Sequence, residues 1–99
     1  MTNKQYQTRE LTSADANSTV IIRPAGDTKT PGEFGYITIL SDSAHVVTFY
    51  DGETSAGTRI AIKPASVAAG TYRFDRPVTG GLCAVVAASF AGNIIVGFN

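Results

Sequence analysis

Tyr50-Asp-Gly-Glu-Thr-Ser-Ala-Gly-Thr-Arg-Ile-Ala-Ile62 decides how this chain is read. Acidic, hydroxyl and glycine residues stand together between two apolar runs, a composition that suits a ligand loop or the turn of a hairpin. The Asp51-Gly52 step favours the turn, because glycine supplies positive φ at little steric cost. Gly57 gives a second bend before Thr58 resumes an extended run. Thr58-Arg-Ile-Ala-Ile-Lys63 then alternates, Ile60 and Ile62 to one side and Arg59 and Lys63 to the other, as in a half-buried strand. The stretch therefore predicts two antiparallel strands joined by a polar cap of Glu53, Thr54 and Ser55, facing water or a neighbouring subunit.

Outward from this hairpin, the chain alternates short β-rich runs with Gly, Pro, Asp and Asn. Strands are expected at Tyr6–Leu11, Thr19–Arg23, Phe34–Leu40, Val46–Tyr50, Thr58–Lys63, Thr71–Arg76, Leu82–Phe90 and Ile94–Phe98. From Phe34 onward they begin every 11 to 13 residues, the spacing of an antiparallel sandwich or small barrel rather than of βαβ units. Thr71–Arg76 repeats the alternation, with Tyr72 and Phe74 inward and Arg73 and Asp75 outward. Leu11–Asn17 has room for a turn but lacks an amphipathic period, so little or no helix is expected. The longest loop, Pro24–Glu33, is bracketed by prolines that bias its ends away from helix. The organisation expected is an all-β antiparallel sandwich of seven to eight short strands over residues 18–99, preceded by an arm or extension at 1–17.

Ninety-nine residues make one domain. Eight basic residues balance eight acidic ones without any charge run. That argues against nucleic acid or an anionic membrane as partner, since both select clustered Lys and Arg. Cys83 is alone, so an intramolecular disulfide and a cysteine metal site are excluded. The first residues are polar and lack the apolar stretch of a signal peptide, and no apolar run has membrane-spanning length. The expectation is a soluble protein made in a cytoplasm.

The search for chemistry yields little. Ser41-Asp-Ser-Ala-His45 gathers the residue types of a hydrolase triad, but five consecutive turn residues cannot easily bring all three side chains into line. Ser-Asp-Ser is ordinary turn chemistry. Cys83 lies in the most apolar strand, where a free cysteine is a small buried hydrophobe. Calcium at Asp51 and Glu53, with Asp42 or Asp27 as helpers, falls short of six to eight oxygen ligands. Sugar binding wants exposed aromatics; tryptophan is absent, and Tyr36, Tyr50 and Tyr72 lie within strands, leaving Tyr6 as the aromatic free to present itself. No catalytic residue, metal or cofactor is expected, and the chain reads as a non-enzyme.

Three strands carry apolar bulk on both faces: Leu82–Phe90, Ile94–Phe98 and Phe34–Leu40. A two-layer sandwich covers one face of each sheet, so something must cover the second. The N-terminal segment could fold over it; other subunits could also do so, and exposed apolar patches of this extent favour subunits.

With these residues read, a likeness becomes visible. The pieces Tyr50-Asp-Gly52, Thr54-Ser-Ala-Gly-Thr58, Ala68-Ala-Gly-Thr71, Tyr72 with Phe74, Gly81-Leu82 and Ile94-Ile-Val96 follow one another in an order and spacing that resembles small β-proteins of tailed-phage virions. The likeness covers Phe34 to Phe98; Cys83-Ala84 departs from it, where the pattern carries an aromatic residue and valine. The resemblance implies a jelly-roll-like sandwich and a capsid decoration, or cement, protein on the virion's capsid surface, made in the host cytoplasm. It implies a homotrimer bound to the major capsid protein, joined by many weak contacts acting together. On that picture Tyr6, Arg9 and Leu11 in the arm, with Leu82, Val86, Phe90 and Ile95, are the candidates for oligomer or capsid contacts. The alternative keeps the virion but makes the chain a tail or head-fibre module that binds host glycan.

Overall fold

The computed structural model describes residues 6–24, 32–41 and 46–99, and the expected strands are all present there. They are β1 (Gln7–Leu11), β2 (Thr19–Arg23), β3 (Gly32–Ser41), β4 (Val47–Asp51), β5 (Thr58–Lys63), β6 (Gly70–Val78), β7 (Leu82–Val86) and β8 (Asn93–Phe98). One 3-10 turn, Ser13–Asp15, stands between β1 and β2. It is held by a reciprocal cap: Ala14 N–H donates to Thr12 Oγ1 at 3.3 Å, and Thr12 N–H donates to Asp15 Oδ2 at 3.0 Å.

The chain pairs as one long hairpin, β1 with β8, β2 with β7, β3 with β6 and β4 with β5, all antiparallel. The Asp51–Thr58 turn is its tip. Folding that hairpin over places β3 beside β8 and β4 beside β7. The result is two four-stranded sheets, sheet A in the order β1-β8-β3-β6 and sheet B in the order β2-β7-β4-β5. This is the strand order of a jelly-roll sandwich.

Between the sheets, alternate side chains interdigitate. Phe34 of sheet A stacks on Phe49 of sheet B at 4.7 Å between ring centroids and on Phe74 of its own sheet at 4.8 Å. Leu11, Ile37, Ile39, Val78, Ile94 and Val96 add to sheet A's contribution, and Val20, Ile22, Val47, Leu82 and Val86 to that of sheet B. Ala84, on the core side of β7 opposite Phe49, is small enough to admit that ring. Burying each large aliphatic or aromatic side chain of this set stabilises the fold by about 1.5–3 kcal/mol.

Two expectations about direction change. In β5, Lys63 is the buried residue, 1 % exposed, and Ile62 is turned outward. The cause is a β-bulge: Phe49 pairs with Ala61 but Tyr50 pairs with Arg59, so Ile60 is the extra residue and the alternation slips by one. Ala61 and Lys63 therefore face the core beside Phe49 and Val47. The second concerns the N-terminal stretch. From Gln7 onward it is a strand of sheet A rather than an arm, paired residue for residue with β8 and ending in the fully buried Leu11. Met1–Gln5 lie outside the described residues.

Candidate interaction surface

The sandwich leaves each sheet one face outside the core. On sheet A, the chain itself covers part of that face, while Leu40, near the end of β3, stays 56 % exposed. The Tyr36 ring lies over Gly97, where an added Cβ would stand 2.2 Å from it, and the Tyr6 ring lies over Gly35, where a Cβ would stand 2.4 Å away. The two rings meet edge to face at 5.5 Å, and the Tyr6 hydroxyl donates to Glu33 Oε1 at 2.9 Å. Strand glycine is what lets an aromatic ring lie flat on the backbone. Thr38 and Thr71 share a hydrogen bond of 2.9 Å across β3 and β6, and Asn93 Nδ2 donates to Glu10 Oε2 at 3.3 Å across β8 and β1. Arg73 pairs with Asp75 at 2.9 Å, and that pairing, first by hydrogen bond and then by charge, holds its guanidinium above the ordinary arginine range.

Sheet B presents a different face. Its register sets two rows across all four strands: Ile21, Cys83, Tyr50 and Arg59 in one, Thr19, Val85, Thr48 and Ile62 in the other. Arg59, at the β5 corner, is the one charged residue of the eight. Ile21 is 50 % exposed and Ile62 46 %, at opposite edges of the face, with Val85 half-buried between them. Cys83 is in this outer row but fully buried, flanked by Ile21 and Tyr50; burial pushes its thiol pKa up.

The Asp51–Thr58 stretch is a hairpin connection, and its carboxylate has a structural use that was not foreseen. Asp51 accepts hydrogen bonds from Gly80 N–H at 2.7 Å and from Thr79 N–H at 3.1 Å, and Gly52 N–H donates to the Gly81 carbonyl at 3.1 Å. The tip of the long hairpin is thereby tied to the β6–β7 connection, where the chain passes from sheet A to sheet B. Gly57 permits the tight return, since a Cβ there would meet the Asp51 carbonyl oxygen at 2.4 Å. Among the described residues, no group of three or more His, Cys, Asp or Glu is placed to hold a metal ion. Asp27, Asp42 and His45 lie outside the described residues.

The residues expected at an interface divide sharply. Leu11 and Leu82 are 0 % exposed and Val86 and Phe90 2 %, so all four are interior and have no surface to offer a partner. Their apolar character serves the sandwich core, which the two-faced pattern of the sequence did not distinguish from an interface. Phe90 sits beyond the end of β7, in a turn closed by its N–H donating to the Ala87 carbonyl at 3.2 Å. Ile95 is half-buried on the outer face of sheet A, between Glu10 and Thr38. Arg9 is exposed and pairs with Asp15 at 3.1 Å. Tyr6, expected to be free, is packed on the chain's own sheet. Its place was signalled by Gly35, a glycine inside a strand and flanked by two aromatic residues in sequence.

Comparison with protein-family models, with curated proteins and with solved structures finds no match. Within the described residues, no helix is long and apolar enough to cross a membrane.

Proposed function

We propose that this chain is a non-enzymatic structural protein of a tailed-phage virion, a capsid decoration (cement) protein that seats on the shell through the outer face of sheet B. The observation that carries the proposal is the makeup of that face: two four-residue rows with a single charge, and isoleucines half exposed at either edge. A sheet surface with a single charge suits contact with another protein better than contact with nucleic acid or an anionic membrane. The likeness to small virion β-proteins supplies the context, with the major capsid protein and further copies of the chain, as a homotrimer, for partners. Binding would be weak per copy and strong in aggregate, because a symmetric shell repeats the contact many times.

The test adds the purified protein to expanded capsids. A cement protein binds in saturable number and raises their resistance to heat, and Ile21→Lys with Ile62→Lys abolishes both effects while the isolated chain stays folded. Failure of the unmodified protein to bind capsids, or retention on host cells or glycan arrays instead, would sink the reading.

A further inference from the structure

The sandwich is open along one side, where β6 ends sheet A and β5 ends sheet B. A cleft of about 510 Å³ lies between those edges, within the usual size of a binding pocket. Ile37 and Ile39 form its floor, Tyr72 and Phe74 one wall, and Ile62 and Val67 the other. Tyr72 and Phe74 point inward but remain half-buried, because no strand beyond β6 covers them among the described residues.

The same side gathers the charge of a molecule whose total is neutral. Of the six described lysines and arginines, four (Arg59, Lys63, Arg73 and Arg76) lie on β5 and β6, with Asp75 as the one acidic residue on those strands. Arg73 is paired with Asp75 and still exposed, and Lys63 borders the cleft from within.

We propose that this cleft receives an extended strand of a partner protein whose apolar and acidic residues alternate, added to the free edge of β6 at Gly70–Phe74. An edge strand carries a row of unpaired backbone groups that template such an addition. In a pleated strand laid on β6, apolar side chains point with Tyr72 and Phe74 into the cleft, and the intervening acidic ones stand on the outer side beside Arg73. A second copy of this chain is a poorer occupant, since both free edges, β5 with Arg59 and Lys63 and β6 with Arg73 and Arg76 against Asp75, carry net positive charge. The inference concerns the open edge of the sandwich, shares only Ile62 with the sheet B face, and stands without the virion reading.

The test uses the full chain and two dye-labelled probes, acetyl-Glu-Val-Glu-Val-Glu-Val-Glu-amide and its counterpart with lysine for glutamate. Fluorescence anisotropy should show the glutamate peptide binding at least about tenfold more tightly than the lysine peptide, with the difference shrinking as salt is raised. Hydrogen exchange should slow at residues 70–74 on binding. Arg73→Glu, at an exposed position, should reverse the order of the two peptides, which a merely structural lesion would not do. Ile62→Glu, on the opposite lip, should weaken the glutamate peptide and leave β6 itself intact. The proposal is overturned if the glutamate peptide does not bind, if both peptides bind equally, if Arg73→Glu leaves their order unchanged, or if protection appears along β1 or β2 instead.

Discussion

On sheet A much of the outward face is covered by Tyr36 over Gly97, Tyr6 over Gly35 and a Thr38–Thr71 hydrogen bond, with Leu40 left exposed near the end of β3, whereas on sheet B Ile21 and Ile62 stand half exposed at both edges with Val85 half-buried between them. Both sheets contain strands apolar on two sides. In sheet A much of the second side is satisfied internally, by aromatic rings laid into the space that glycine leaves. In sheet B, Tyr50 flanks the buried Cys83 among small and β-branched residues, and the two edge isoleucines, Ile21 and Ile62, stay half exposed. A strand that is apolar on both faces therefore does not by itself announce a partner; what matters is whether the chain also supplies the side chains that cover it.

That contrast can be broken most forcefully at Gly97. Gly97→Val drives a side chain into the Tyr36 ring and should cost about 1–3 kcal/mol in urea unfolding. A neutral result would mean that Tyr36 does not finish this face. A smaller effect is expected from Tyr6→Phe, which keeps the ring over Gly35 but removes the hydroxyl donated to Glu33, at about 0.5–1.5 kcal/mol. Cys83 sharpens the picture of sheet B. Its thiol pKa is raised by burial, so its contribution to stability is complete below the unfolded thiol's pKa and is lost as pH rises through the raised value. Cys83→Ala should flatten the loss of stability seen above about pH 8.5, and a thiol reagent at neutral pH should label the native protein only as fast as it opens. The smallest effect belongs to Ile21→Thr combined with Ile62→Thr. Stability of the isolated chain should change by no more than about 0.5 kcal/mol, since both side chains are already half in water. A large loss would show that the face is knit to the core and not open for docking.

The eight strands were legible because each needs only a local signal, a short β-rich run between turn residues, and β2 and β5 have the bounds read from the sequence. Three features were not legible, for a shared reason. The bulge that turns Lys63 inward depends on how β5 registers against β4, which no residue of β5 encodes alone. The Asp51 clamp joins residues 28 and 29 positions apart, so its acceptor role appears only when the β6–β7 connection is in place. Leu11, Leu82, Val86 and Phe90 looked like interface residues because burial inside a chain and burial between chains select the same side chains. The candidate surface on sheet B was half legible: a need for cover was visible, but the residues facing outward depended on pairing.

The pairing of β1 and β3 with the same strand, β8, has a kinetic meaning. Sheet A has no centre until β8 is made, and β8 follows the other seven strands in chain order. On the ribosome, β1 must wait with its edge unsatisfied while those strands emerge, and contacts so distant in sequence close slowly. Folding should therefore finish only once β8 has emerged, in a single late step, and the chain before and after that step should differ most in the protection of β1.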